Sequence, residues 1–310
     1  MNHTLRVHGA KEKAWIEGLP GLLAAMTSKL GLRDLNAVSN TTYTYVLSGL
    51  QHNRPIILKL GLDIEGLARE ACALKCFSGC GAVKVLSEDK GMLLLQRAVP
   101  GTSLKSYFPD KEQESIEIAC GVIKKLHLPT PRLLPTPRLR ETSNFPHIKD
   151  WLAVLDKDWG VPSDYLQKAR YLRDQLLQSS EQDALLHGDL HHDNILQNGD
   201  DKSRRSSKSE DGWVVIDPKG VIGERAYEVA AFIRNPMPDL LTVENVPGVI
   251  QKRIGVFSEI LSIPSIRITA WCFVQAVLAW VWAIEDSCDT AYYWARFVDV
   301  LSSISEVLPM

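Results

Sequence analysis

The sequence predicts an α+β fold in two lobes: a small antiparallel-sheet lobe first, then a larger and mainly helical one. Three observations carry this. A chain of 310 residues exceeds what one hydrophobic core comfortably serves. Short β-branched and aromatic runs crowd the stretch before residue 98. From about Thr102 apolar residues recur at helical spacing, broken by one hairpin. The expected division is 1–98 and 99–310.

Each element has a local reason. Residues 11–32 place Trp15, Ile16, Leu19, Leu22, Leu23, Met26 and Leu30 at helical spacing, with Gly18, Pro20 and Gly21 expected to break or restart the helix. Ser39–Thr42 reads as a turn before a strand over 43–47, and Pro55–Leu60 as a second strand. A helix over 64–77 follows. Val83–Leu86 and Met92–Gln96 read as strands joined by a turn over 87–91, and Arg97–Gly101 as the link between lobes. Helices are then expected over 115–126, 151–159, 163–177, 226–233, 246–261, 265–284 and 290–307. The five prolines and three arginines of 128–146 predict an irregular surface loop. The polar run 199–212 predicts a long, mobile tip joining strands near 194–197 and 213–216.

Composition excludes several function classes. A net charge of −2 gives no footprint for general nucleic-acid binding. Met1–Lys13 is polar and mixed in charge, unlike a secretory signal, so a cytoplasmic location is expected. The apolar run 268–284 falls short of the ~20 residues of a membrane span, so a buried core helix and no membrane partner are expected. The six cysteines are expected as reduced thiols.

The chemistry centres on His187-Gly188-Asp189, with Asn194 five residues after Asp189, and Asp217 closing the short run Trp213–Ile216. An Asp, an Asn and a second Asp in this order form a phosphoryl-transfer set. Asp189 would orient the attacking hydroxyl and accept its proton, while Asn194 and Asp217 would hold Mg²⁺. Lys59, alone in an apolar strand, suits a bridge to nucleotide phosphates if a carboxylate fixes it. Glu70 is the expected partner and Glu65 the competitor. Ser39, Asn40, Thr41 and Thr42 are candidate phosphate contacts, and backbone groups from Gln96 through Ala98 to Val99 candidate adenine contacts. His191 lies within reach of a transferred phosphate. His187 is expected to be a packed structural histidine, and His192 and Asp193 solvated turn residues. No Gly-x-x-x-x-Gly-Lys-Ser/Thr or Gly-x-Gly-x-x-Gly is present, which disfavours P-loop and dinucleotide-binding folds.

Together these residues resemble the aminoglycoside phosphotransferase family, which has the protein-kinase-like fold. Gly188 stands where protein kinases carry Arg, Pro218 follows Asp217 in place of Phe-Gly, and no Ala-Pro-Glu segment follows. The segment from Ile216 through Gly223-Glu224, Ala226-Tyr227-Glu228 and Arg234-Asn235-Pro236 is similar to the branch containing streptomycin 6-kinases and hydroxyurea phosphotransferases. The resemblance implies ATP between the lobes, Lys59 paired with Glu70 on the α/β-phosphates, and Mg²⁺ on Asn194 and Asp217. It implies an aminoglycoside or related small molecule as substrate, and antibiotic resistance as the outcome. Glu224, Glu228, Glu285, Asp286 and Asp289 are candidate acids for a cationic guanidino-sugar. Hydroxyurea, neutral and small, would need no such cluster, so the number of acids facing Asp189 should separate the two. The alternatives are a metabolic kinase of the same fold, for sugars, choline-like alcohols or glycated amines, and a nucleotide-binding module without turnover.

Overall fold

The computed structural model describes residues 5–38, 44–127, 145–180, 182–199 and 212–304, with side chains from residue 13 onward. It begins with one helix, α1 (Leu5–Leu30), that runs through Pro20 without the expected break. Leu19 is buried, and Trp15, Leu22, Leu23 and Met26 pack with it onto a sheet, so tertiary burial overrides the local cost of glycine and proline.

That sheet has five antiparallel strands in the order β1-β2-β3-β5-β4. They are β1 (Leu32–Ala37), β2 (Tyr45–Gln51), β3 (Arg54–Leu60), β4 (Val85–Asp89) and β5 (Met92–Gln96). β1 escapes the sequence pattern because it is a polar edge strand, exposed along most of its length. β4 likewise takes in Ser87, Glu88 and Asp89, which the polarity had assigned to a turn.

Alternation along β3 sets up the site. Ile56, Leu58 and Leu60 face α1, while Ile57 and Lys59 point to the other face. There lies α2 (Ile64–Cys76), whose Leu67, Ala71 and Leu74 pack against Leu93 and Leu95.

The rest is mainly helical: α3 (Glu112–Leu126), α4 (Ile148–Leu152), α5 (Ser163–Gln178), α6 (Arg225–Ile233), α7 (Val246–Leu261), α8 (Ser265–Glu285) and α9 (Ala291–Ile304). Two small sheets carry the loops between them. β6 (Pro100–Ser103), β8 (Ile195–Asn198) and β9 (Trp213–Val215) form one, and β7 (Asp183–Leu186) with β10 (Val221–Glu224) the other. At four residues each, β7 and β10 are too short for their alternation to stand out in the sequence.

α8 is the axis of this lobe, in contact with α5, α6, α7 and α9. Among the described residues it is the one helix long and apolar enough to cross a membrane, and 72% of its most apolar window is buried inside the protein. The six cysteines form no disulfide.

Candidate active site

Asp189 sits in the turn that leaves β7. The preceding Gly188 has φ +82°, and a Cβ there would lie 2.9 Å from Val221 and 3.0 Å from the Trp151 ring, so only glycine fits. Glu228 on α6 holds the turn. Its carboxylate accepts hydrogen bonds from the backbone nitrogens of His187 (2.6 Å) and Gly188 (2.9 Å), with His127 Nε2 3.5 Å away. Burial alone would raise this carboxyl. The neighbouring His127, with the Gly188 N–H, outweighs it and holds Glu228 below the usual range. His187 is fully buried. Its Nδ1 accepts from the Asp189 nitrogen and its Nε2 donates to the Ile216 carbonyl, so one neutral imidazole ties the Asp189 turn to the strand before Asp217. Burial depresses its pKa, which keeps it neutral.

The Asp189 carboxylate faces Arg234 Nη2 at 3.5 Å, His191 Nε2 at 3.9 Å and Lys219 Nζ at 4.0 Å. Burial pushes its pKa up, but His191, Lys219 and Arg234 together bring it down to about 2. It is therefore ionised at neutral pH and a weak base. Such a group orients a hydroxyl and takes its proton only as the oxygen–phosphorus bond forms.

Asn194 donates from Nδ2 to the Asp189 carbonyl at 2.8 Å, which leaves Oδ1 as its available donor atom for a cation. The β8–β9 register, Ile195 opposite Val215, continues with Ile216 N–H to the Asn194 carbonyl at 3.1 Å, and so places Asp217 beside this loop. Asp217 has φ +59°, a left-handed conformation uncommon for a residue with a side chain. Its carboxylate pairs with Lys59, which also reaches Glu70 Oε1 at 2.7 Å. Burial lowers the Lys59 pKa, but Asp217 and Glu70 raise it by more, so the ammonium stays charged. Glu70, not Glu65, is the partner.

The link between lobes offers less than expected. The Gln96, Arg97 and Val99 nitrogens already donate to Lys84 O, Pro55 O and Asn198 Oδ1. Ala98 N–H is the donor of this stretch without a partner among the described residues, so Ala98 remains a candidate base contact and the Gln96 N–H does not. Ser39, Asn40, Thr41 and Thr42 lie outside the described residues.

A cavity of about 640 Å³ opens at Asp189, walled by Trp151, Tyr227, Trp282 and Trp294. Its charged lining is Asp189 and Asp286 against Lys219 and Arg234. Of the five candidate acids, Asp286 alone faces it. Glu228 is consumed by the His187–Gly188 backbone. Glu224 is held by the Arg267 guanidinium and by Trp271 Nε1 at 3.0 Å. Glu285 and Asp289 are exposed and outside the lining: Glu285 falls off the α8 face that carries Ala279, Trp282 and Ala283, and Asp289 lies in the turn after the helix. His192 is not a solvated turn residue: it is fully buried and stacks on Phe232 at 3.9 Å. Arg234 and the tryptophans carried no sequence-derived role. The one available signal was an apolar period on α8 rich in tryptophan.

A sheet lysine paired with a helix Glu and with Asp217, an Asp–Asn loop and an adjoining cavity are the arrangement of a small-molecule kinase. Comparison with known proteins agrees. Residues 35–287 match the family described as aminoglycoside/hydroxyurea antibiotic resistance kinase, and the chain belongs to that family. Streptomycin 3''-kinase of Klebsiella pneumoniae is 28% identical over 262 residues, 82% of this chain and 89% of that one. Streptomycin 6-kinase of Streptomyces griseus is 21% identical over 301 residues (91% and 88%), and hydroxyurea phosphotransferase of Kitasatospora aureofaciens 26% over 290 (91% and 78%). Among solved structures, an aminoglycoside phosphotransferase in ternary complex with ADP and hygromycin B superimposes with TM-score 0.64 at 14% identity, covering 92% of this chain and 99% of that one. A choline kinase from Streptococcus pneumoniae gives 0.63 at 13%, covering 93% and 99%. At such identities the structural likeness speaks for the fold, which is protein-kinase-like.

Proposed function

We propose that this chain is an ATP- and Mg²⁺-dependent O-phosphotransferase acting on a hydroxyl of an aminoglycoside such as streptomycin, or of a related antibiotic, with resistance as the outcome. The observation that carries this is Asp189 on the cavity lining, facing Arg234, His191 and Lys219 and joined through its own loop to Asn194 and Asp217. In this reading the nucleotide lies between residues 1–98 and 99–310. Lys59 holds its phosphates, with Glu70 fixing the ammonium, and Ala98 N–H meets the base. The carboxylate of Asp217 and the amide oxygen of Asn194 are hard oxygen donors that suit Mg²⁺. When bound, Mg²⁺ and ATP supply the transferable phosphoryl group and neutralise its charge. The chain's own part is positioning: Asp189 aligns the acceptor hydroxyl, and Lys219, Arg234 and His191 keep its carboxylate anionic.

The cavity offers a cationic acceptor the Asp286 carboxylate beside Asp189, whereas a molecule as small as hydroxyurea would fill little of 640 Å³. A metabolic kinase of the same fold is the alternative reading. Phosphate transfer from ATP with Mg²⁺ to streptomycin and to hydroxyurea, with Asp189→Ala as control, tests the reading. Turnover abolished by the substitution supports it. ATP binding without transfer to either removes these acceptors, and failure to bind ATP removes the reading.

A further inference from the structure

Arg253 lies on α7 with its side chain fully buried. Its guanidinium donates to the carbonyls of Phe232 (3.3 Å), Ile233 (2.9 Å) and Asn235, and pairs with Glu112 of α3 at 2.5 Å. These carbonyls bracket Arg234, at the point where α6 ends and its last carbonyls lose their helical partners. The chain cannot continue as a helix, because Pro236 follows. A buried guanidinium therefore fixes the direction in which α6 is left. The bracketed residue is Arg234, whose guanidinium lies over Trp294 at 5.3 Å and reaches Asp189 at 3.5 Å.

A second contact runs to the Asp189–Asn194 loop. Arg253 lies 5.5 Å from the Phe232 ring, and Phe232 carries His192 on its face. His192 opens the short turn that ends at Asn194. One buried cation thus touches both the helix end that delivers Arg234 and the ring that seats the Asp189–Asn194 loop.

The arrangement is poor as a device for stability alone. Glu112 Oε2 and Arg253 Nη2 have no hydrogen-bond partner among the described residues. A buried ion pair with unsatisfied atoms is generally no better than well-packed apolar residues. We infer that Arg253, with Glu112, is a positioning residue for phosphoryl transfer, which holds Arg234 against Asp189 and the Asn194 loop against Phe232. This rests on the kinase reading of the same site.

The test is a double-mutant cycle. Arg253→Lys keeps a positive charge, but one ammonium nitrogen cannot span both the carbonyls, which meet Nη1, and Glu112, which meets Nε. With streptomycin as acceptor, kcat should fall roughly tenfold while KM for ATP changes less than about twofold. In an Arg234→Ala background the same substitution should cost clearly less, since only the route through Phe232 and His192 remains. Equal losses in both backgrounds, or an unchanged kcat in a folded variant, would overturn the inference. Glu112→Gln repeats the cycle should Arg253→Lys not fold. A crystal structure of the variant decides the matter without turnover: Arg234 displaced from Trp294 and Asp189 supports the inference, and Arg234 retained on both refutes it. If the wild-type protein leaves streptomycin unmodified, the acceptor assignment fails and the crystal structure still answers.

Discussion

Glu228 Oε2 lies 2.6 Å from the backbone nitrogen of His187, and Oε1 of the same carboxylate lies 2.9 Å from that of Gly188. An acid that looked like a substrate contact is instead the anchor of the turn that carries Asp189. Glu228→Ala would leave two buried N–H groups without partners, at a cost of about 2–4 kcal/mol. A urea melt reads this directly, and unchanged stability would contradict the anchoring role.

The same turn sets an acid-side dependence. Glu228 is held below the usual carboxyl range, so its contribution is present above the unfolded pKa and lost as pH falls through the folded one. His187 is kept neutral by burial, so the unfolded chain takes up its proton first and stability begins to fall below about pH 6.5. Denaturation midpoints measured across this range should decline toward acid, and a His187→Gln variant that folds should show a shallower decline near neutrality.

Asp189→Asn should slow transfer by roughly 10²–10⁴-fold while ATP still binds. Because the carboxyl titrates at about 2, the wild-type rate should show no acid limb from this group at ordinary pH. Arg234→Ala removes one of the cations holding that value down, so the limb should move toward neutrality. A pH–rate profile of kcat that stays fixed in Arg234→Ala would rule out this electrostatic coupling.

Lys59→Ala takes the ammonium from between Glu70 and Asp217 and leaves two carboxylates facing each other. Transfer should drop on the order of 10²-fold, with a raised KM for ATP. Fluorescence titration with an ATP analogue separates the binding part from the rate part.

The cavity wall makes a selective prediction. Asp286→Asn should raise KM for a cationic acceptor up to about tenfold, and Glu285→Gln and Asp289→Asn should leave it unchanged. Equal effects from all three would mean that α8 presents a different face to the acceptor.

The sequence was most legible where chemistry and periodicity coincide. Lys59, Glu70, Asp189, Asn194 and Asp217, which the fold gathers at one place, stand out because few roles demand those types at those spacings. The long helices of the second lobe follow from their apolar repeat, α8 above all. The polar edge strand β1 and the four-residue strands β7 and β10 have too little alternation to read. The cavity was the least legible part. Its residues come from α4, α6, α8 and α9, and nothing local distinguishes a tryptophan on a cavity wall from one in a core. Glu224 and Glu228 show the converse. Each has the type expected of a ligand for a cation, and each is taken by a neighbour that only the fold brings near.

The pairing of Lys59 with Asp217 has a further consequence. Asp217 already has a positive neighbour in Lys59 of β3, so in the reading proposed above a divalent ion there would exchange one cation for another. The carboxylate never stands bare, and the protein can rest without a counter-ion. Chelator-treated protein should therefore keep its melting temperature. In the reading proposed above, Lys59 and a divalent cation would draw on the same Asp217 carboxylate, which makes cohesion between β3 and the Asp217 turn and cation binding opposing demands on a single side chain.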